Sequence, residues 1–202
     1  YFSEDPYHAG KMAAAYVRGI QSKGIAACPK HFAANSQELR RMANDSVVDE
    51  RTFREIYTTG FEIAIKEGKS KSIMSSYNEV NGIYANENSH MLQKILVDEW
   101  GFDGYVVSDW GAVNDRISAL SAGLDLEMPP GDYENDRLIV KAVQEGKLDE
   151  KTVDLACERI LDVIFRYTEN RDENAVFEYE KDHKAAADIA AECMVLLKND
   201  NH

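Results

Sequence analysis

An aspartate that directly follows a short apolar run is the residue in this sequence best placed to do chemistry. The run 105–107 lies between two glycines, and Asp109 and Trp110 follow it. Runs of this kind are typical of a strand that is covered on both faces. Folds with parallel strands place their chemistry at the carboxyl ends of such strands, and an ionised carboxylate is costly to bury there unless it is used or paired. We interpret Asp109 as a candidate nucleophile; a helix N-cap is the alternative that this stretch alone leaves open.

Polar side chains also follow the other predicted strands. They are Lys30-His31, Tyr77-Asn78 and Asp125-Leu126-Glu127. If the strands are parallel, all of these groups share one edge of the sheet with Asp109. Charged side chains that donate hydrogen bonds, a carboxylate and the Trp110 ring are together suited to a sugar-binding site. A sugar offers hydroxyls to donors and C–H faces to aromatic rings. Each residue also has an ordinary structural reading, as a solvated loop residue or as part of the core.

The spacing of the other residues argues against two common kinds of active site. No group of His, Cys and Asp shows the spacing of metal ligands, so neither a metal nor another cofactor is predicted. Ser108 has no histidine near it in sequence, so serine hydrolysis has no support. The three cysteines form no CxxC pair and therefore predict neither a zinc site nor a disulfide framework.

The hydrophobic pattern predicts alternating strands and helices. Four strands are expected, at 25–30, 72–77, 105–107 and 124–128. Helices are expected from Ser3 to Gly24, from the capping box at 52–55 to Gly68, from 88 or 89 to 101, at 114–122 and around 138–143. The segment 31–51 reads as a long polar loop. Pairing of the first strand is expected to finish at Pro29, which lacks a backbone donor.

This alternation predicts an α/β fold with parallel strands and crossover helices. A doubly wound sheet and a (β/α)8 barrel both fit the pattern, but no glycine-rich phosphate-binding motif supports the first. A complete barrel needs about 250 residues, so about four strands correspond to part of a TIM-like barrel. Two more helices, at 153–164 and 183–197, flank a polar linker at 170–174. We therefore predict a barrel part over 1–168, and over 169–202 a linker and helix that lead to a second domain not contained in the chain.

Composition excludes some partners. The 202 residues carry a formal net charge of -13, whereas nucleic acid and anionic membranes attract basic surfaces. No apolar run approaches the roughly 20 residues of a transmembrane helix. The sequence predicts no nucleic-acid or membrane partner and leaves the cellular compartment unknown.

Six ordered stretches resemble glycoside hydrolase family 3, in its β-glucosidase branch. They are YFSEDP (1–6), KHFAANSQE followed by Arg41 (30–41), SIMSSYNEVNG (72–82), GYVVSDWG (104–111), GLDLEMP (123–129) and MVLLKND (194–200). Together they cover almost the whole chain. The resemblance implies a TIM-like barrel and a retaining hydrolase that removes terminal glucose from β-glucosides or short β-linked oligosaccharides.

The resemblance also implies roles for individual residues. Asp109 matches the family nucleophile, and the residues expected to bind substrate are Lys30, His31, Arg41, Tyr77 and Trp110. The family's general acid/base glutamate lies in a later domain, so the isolated chain is expected to be inactive. Glu127 could replace it in principle, but the family gives its motif no acid role. The alternatives are a β-xylosidase or α-arabinosidase of the same family, and a degenerate barrel that binds sugars without cleaving them.

Overall fold

The structure, a computed structural model, describes residues 2–131 and 133–200. Tyr1 of the YFSEDP stretch and the last two residues of the predicted linker segment lie outside this range. The strands in chain order are β1 (Lys30–Phe32), β2 (Asp45–Ser46), β3 (Ser72–Ser75), β4 (Glu79–Val80), β5 (Ile83–Tyr84) and β6 (Tyr105–Val107). The α-helices are α1 (Pro6–Gln21), α2 (Glu50–Thr52), α3 (Thr59–Lys66), α4 (Arg116–Ala122), α5 (Glu134–Gln144), α6 (Glu150–Glu169) and α7 (Tyr179–Glu192). Two π-helical segments, Phe53–Thr58 and His90–Glu99, and a 3-10 turn, Ala85–Glu87, complete the list.

A parallel sheet in the order β1-β3-β6 carries the predicted strand ends. Strand β3 pairs in parallel with β1 on one side and with β6 on the other. Val107 forms a further parallel bridge to Leu126, which extends the sheet by one short segment. With helices between successive strands, this arrangement is a partial (β/α)8 barrel, as the sequence predicted.

The sheet is covered by the helices that connect its strands. Phe32, Ile73 and Val106 project from the three strands and are at most 1% exposed. Leu92 and Ile95 of the π-helix His90–Glu99 are fully buried in the same cluster. The apolar periodicity of these segments therefore builds one core, which fixes the strands that carry the candidate site. No helix in the described ranges is long and apolar enough to cross a membrane.

The first strand begins where the sequence predicted that it would end. Residues 25–29 form no strand, because the carbonyl of Ala27 accepts hydrogen bonds from the hydroxyls of Ser70 and Ser72, at 2.8 and 3.0 Å, instead of from a strand backbone. Pro29 lacks an N–H but still accepts from the backbone N–H of Met74 at 3.1 Å, and β1 continues to Phe32. His31 consequently lies within the strand.

The predicted loop 31–51 contributes to a second sheet. Strand β2 pairs in parallel with β4, which forms an antiparallel hairpin with β5. Asn81 and Gly82 form the turn, with φ of 51° and 81°. Two residues with positive φ are typical of the tight turn that joins two antiparallel strands, and Asn-Gly is its usual sequence.

Several helix ends differ from the prediction by a turn or less. Asp5 caps α1 in place of Ser3, since its carboxylate accepts from Tyr7 and His8 backbone N–H groups. Asp49 is the N-cap of α2, a position that the sequence assigned to Thr52. The Asp49 carboxylate accepts from the backbone N–H of Thr52 at 3.0 Å. Asp and Thr are both favoured caps, so composition alone does not choose between neighbours.

The chain divides after Arg171 into two compact units. The second unit contains α7, which begins at Tyr179 and ends at Glu192, several residues before the predicted end at 197. The unbroken apolar run 194–197 lacks the alternation with polar residues that an amphipathic helix requires, and it lies outside the helix, 75–92% exposed. The assignment of 1–168 to a barrel and of 169–202 to a linker stays a prediction.

Candidate functional site

Parallel pairing brings the carboxyl ends of three strands to one edge. His31 lies in β1, Tyr77 follows β3 by two residues and Asp109 follows β6 by two residues. The register aligns Ile73 with Val106 and Lys30 with Met74, so the three strands end at nearly the same level. This is the edge at which barrels of this kind place their reacting groups.

The carboxylate of Asp109 is held through both of its oxygens. The backbone N–H of Trp110 donates to Oδ1 at 2.7 Å, and Nε2 of His31 lies 3.1 Å from Oδ2. The side chains of His31 and Asp109 are 18% and 13% exposed, so the pair lies largely out of bulk water without being sealed off. A carboxylate in this position is accessible to a substrate and is fixed in orientation.

The charges around His31 act in opposite directions on its ring. Burial is the largest influence and lowers the pKa of His31 below its ordinary value. The Asp109 carboxylate raises the pKa, whereas the positive charges of Lys30 and Arg41 lower it. The net effect favours a neutral imidazole at neutral pH.

Tyr77 lies beside the same carboxylate. Its hydroxyl donates to the backbone carbonyl of Trp110 at 2.9 Å, and burial together with the negative charge of Asp109 raises the pKa of the phenol. The guanidinium carbon of Arg41 lies 4.6 Å from the centre of the Tyr77 ring, a distance at which a cation is attracted to the ring face. Arg41 also forms an ion pair with Glu38 at 3.0 Å.

The structure therefore brings together four of the six residues singled out from the sequence: Asp109, His31, Tyr77 and Arg41. The other two are Lys30 and Trp110. Each is adjacent in sequence to one of these four residues, and each has an exposed side chain. Trp110 is 53% exposed, so its ring offers a surface to a ligand and is not part of the core.

A cleft of about 340 Å³ lies next to the site on the β1 side. Lys30 and His31 line it together with Asn35 from the loop after β1. The remaining walls come from residues at the beginning of α1 and from helical residues between 56 and 64. The cleft gives the charged edge a neighbouring apolar surface.

Asn86 is a supporting residue that the sequence analysis did not single out. Its side-chain amide donates to the carbonyls of Ser76 and Ala112, at 3.0 and 3.1 Å, and its oxygen accepts from the Ser75 hydroxyl. It thus joins the segment that carries Tyr77 to the segment that follows Asp109. Nothing in the local sequence distinguishes Asn86 from the other asparagines of its polar loop.

Glu127 is engaged away from the candidate nucleophile. One of its carboxylate oxygens accepts from the side-chain amide of Asn135 at 2.7 Å, and the other lies 3.5 Å from Nε of Arg116. The Arg116 guanidinium also donates to the carbonyls of Leu124 and Asp125. These contacts give Glu127 a structural role in holding the segment that follows α4.

Comparison with known proteins identifies the family of the chain. The profile of the glycosyl hydrolase family 3 N-terminal domain matches residues 1–163. A thermostable beta-glucosidase B of Acetivibrio thermocellus is 54% identical over the whole chain, and an exo-alpha-(1->6)-L-arabinopyranosidase of Bifidobacterium longum is 43% identical. The chain spans 27% and 26% of these two proteins.

The fold matches a solved structure equally well. Beta-glucosidase 3B of Thermotoga neapolitana, determined in complex with glucose, superposes over the whole chain with a TM-score of 0.93 and 44% identity. The chain covers 29% of that structure. The chain therefore belongs to glycosyl hydrolase family 3.

Proposed function

We propose that the complete protein containing this chain is a retaining β-glucosidase in which Asp109 is the nucleophile. The observation that carries the proposal is the Asp109 carboxylate at the end of β6, fixed by the Trp110 N–H and by His31 and still open to a ligand. The beta-glucosidase names of several relatives and the glucose bound to the Thermotoga enzyme support the substrate class.

The proposed reaction has two displacements. A carboxylate oxygen of Asp109 forms a bond to the anomeric carbon while the bond from that carbon to the aglycone oxygen breaks. The leaving oxygen takes a proton from a general acid. In the second step water attacks the same carbon and gives a proton to the group that acted as acid, and Asp109 leaves as a carboxylate.

The residues around Asp109 would bind the glucose ring. Lys30 and Arg41 supply donors for its hydroxyls, and His31 and Tyr77 border the nucleophile. The exposed ring of Trp110 supplies a face for the C–H side of the sugar. No cofactor or metal enters the proposal, because both displacements need only carboxyl groups and water.

We further propose that a domain outside the chain supplies the acid/base glutamate. The chain spans about a quarter of its relatives, and Glu127, the internal candidate, is bound to Arg116 and Asn135. Under this proposal the 202-residue chain alone would not turn over substrate.

Covalent labelling of the complete protein tests the nucleophile. A 2-fluoro-β-glucoside with a good leaving group should trap the glycosyl-enzyme, and peptide mapping should find the label on Asp109. The Asp109→Asn variant should not be labelled, and Asp103→Asn, a matched change at an exposed aspartate, should be labelled normally. A label on another residue of the wild-type protein would show that the assignment is wrong.

An α-L-arabinopyranosidase is the second candidate, supported by the Bifidobacterium longum relative. Arabinopyranose lacks the hydroxymethyl group of a hexose, so the distinction depends on the part of the pocket that surrounds that group. The values of kcat/KM on nitrophenyl β-glucoside, β-xyloside and α-L-arabinopyranoside decide between the candidates. Binding of glucose without hydrolysis of any of the three would favour a sugar-binding barrel.

A further inference from the structure

Asn86 bridges two segments of the chain through a fully buried side chain. The residue is 0% exposed, and its amide nitrogen donates to the carbonyls of Ser76 and Ala112, at 3.0 and 3.1 Å. Backbone carbonyls only accept, so these two bonds use both hydrogens of the amide and fix which end of it is the nitrogen. The Ser75 hydroxyl donates to the amide oxygen. Both polar atoms of the side chain are therefore bonded, and one group holds the two carbonyls together.

The two carbonyls flank the candidate site. Ser76 immediately precedes Tyr77. Ala112 ends a turn in which its backbone N–H donates to the carbonyl of Asp109 at 3.2 Å. The bridge therefore fixes the backbone that carries the phenol relative to the backbone that carries the carboxylate. We call the two bonds from Asn86 to these carbonyls the Asn86 clamp.

The Tyr77 side chain spans the same two segments. Its hydroxyl donates to the Trp110 carbonyl at 2.9 Å and lies within hydrogen-bonding reach of the Asp109 carboxylate. The carboxylate thus faces the Trp110 N–H, the His31 ring and the Tyr77 phenol. The Trp110 N–H moves with the turn, whereas the phenol keeps its place beside the carboxylate only if the two segments stay in register.

We infer that Asn86 is a positioning residue, whose clamp sets the distance between the Tyr77 phenol and the Asp109 carboxylate. The inference rests on the proposed role of Asp109 as nucleophile and adds to it a residue that acts through the backbone. An attacking oxygen needs a defined approach to the anomeric carbon, and displacement of the groups around it is costly in rate. Lys30 and Arg41, which supply donors for the sugar hydroxyls in the proposed function, lie on β1 and the loop after it, away from the clamp. Loss of the clamp should therefore slow bond formation and leave sugar affinity nearly unchanged.

Two substitutions break the clamp to different degrees. Asn86→Ala removes the whole amide. Asn86→Ser fills more of the space and keeps one hydroxyl, whose single hydrogen can serve one carbonyl but not both. Asn88→Ala is the matched control, because Asn88 is also buried and lies two residues further along the chain. Its side-chain oxygen accepts from the backbone N–H of Met91 at 3.1 Å and so supports the π-helix His90–Glu99.

Inactivation of the complete protein by the 2-fluoro-β-glucoside yields a rate constant of labelling, ki, and a dissociation constant, Ki, and thermal melting reports folding. Asn86→Ala should lower ki about 10-fold, less than the roughly 100-fold that a full ångström of misplacement can cost, with Ki changed less than about 3-fold. Asn86→Ser should lower ki by a smaller factor. Asn88→Ala should lower the melting temperature and leave ki at the wild-type value.

A second measurement shows whether the effect passes through the phenol. In a Tyr77→Phe background no hydroxyl remains to be positioned, so Asn86→Ala should change ki less than about 2-fold instead of about 10-fold. A residue that only supported the fold would give the same factor in both backgrounds, as independent changes do. If Asn86→Ala does not fold, Asn86→Ser carries both measurements.

Four results would overturn the positioning role. They are an unchanged ki in both Asn86 variants, an equal loss of ki in Asn88→Ala, the same factor in the Tyr77→Phe background, and failure of both Asn86 variants to fold. A large rise in Ki at constant ki would overturn it as well, because the clamp would then act on sugar binding. All of these leave the wild-type label on Asp109 and the proposed function intact. Wild-type labelling at another residue would refute the proposed function and the inference together.

Discussion

A buried ion pair between Asp125 and Arg159 is expected to hold strand β6 in place. Asp125 accepts from the backbone N–H of Val106 at 2.8 Å through one oxygen, and its other oxygen lies 3.2 Å from the Arg159 guanidinium of α6. The Asp125 side chain is 2% exposed and that of Arg159 is 15% exposed. The pair therefore anchors the strand that leads to Asp109, and we predict that Asp125→Ala will loosen it.

The magnitude follows from the burial of the two partners. Removal of one member of a buried ion pair costs about 3–5 kcal/mol, because the other charge is left without a partner. Arg159 keeps some access to water, so we expect a value near the lower end, about 3 kcal/mol. Asp125→Asn keeps an oxygen acceptor but loses the charge, and should cost about 1–2 kcal/mol.

Amide hydrogen exchange of the complete protein measures the effect where it occurs. A loss of about 3 kcal/mol corresponds to roughly 100-fold faster exchange in a peptide covering β6 for Asp125→Ala, with an intermediate change for Asp125→Asn. The control is Asp162→Ala on α6, which removes an exposed ion pair with Arg166 that is worth at most about 1 kcal/mol. If Asp125→Ala changes the exchange no more than this control does, the pair does not anchor the strand.

Three further predictions concern residues near the site. Gly104→Ala should lower the free energy of unfolding by about 1–3 kcal/mol, because a new Cβ would overlap the carbonyl of Lys71. Gly19→Ala is the control, since the space around a new Cβ is open there, and it should not lower stability. Thermal melting of the two variants and the wild type measures the difference. Tyr77→Phe loses a half-buried hydrogen bond and should cost about 1 kcal/mol in the same assay, and an unchanged melting temperature would contradict this. His31 has a lowered pKa, so the folded protein binds fewer protons than the unfolded chain just below pH 6.5, and stability should fall as the pH drops through this window. His31→Gln should remove that part of the pH dependence in melts between pH 7.5 and 5.5, and equal slopes for the variant and the wild type would refute it.

The parallel arrangement of the site could be predicted because it depends on strand order and on the period of apolar residues. Asp109 and Tyr77 each follow a recognisable apolar run, and parallel pairing alone brings them to the same edge. His31 also lies at this edge, but it lies within β1 and does not follow it. The strand begins at Lys30, where the sequence placed its end. The apolar residues before Pro29 resembled a strand, but hydroxyls of Ser70 and Ser72 occupy the Ala27 carbonyl, and local sequence does not reveal such distant partners.

Other features were missed for different physical reasons. The hairpin of β4 and β5 had a visible signal, the Asn81-Gly82 pair, but its strands are only two residues long and show no alternation. The segment 124–128 reads as a strand, yet only Leu126 forms a strand-like bridge, since the Asp125 side chain takes the place of a backbone acceptor for Val106. The supporting role of Asn86 could not be predicted, because its side-chain amide donates to two carbonyls that are distant from it in sequence.

The turn that carries Asp109, the proposed nucleophile, is held mainly by contacts beyond the end of β6 and not by pairing within the strand. Strand β6 ends at Val107, and beyond it the Ser108 N–H donates to the Leu126 carbonyl at 2.9 Å while the Gly111 N–H donates to the Met128 carbonyl at 2.8 Å. The Ser108 hydroxyl also accepts from the Met128 N–H at 2.8 Å. The turn that carries Asp109 is thus fastened on both sides to one neighbouring segment. Because the buried Asp125 and Arg159 in turn hold that segment, a change away from the candidate site can reach the Asp109 carboxylate without altering any residue that is proposed to bind the sugar.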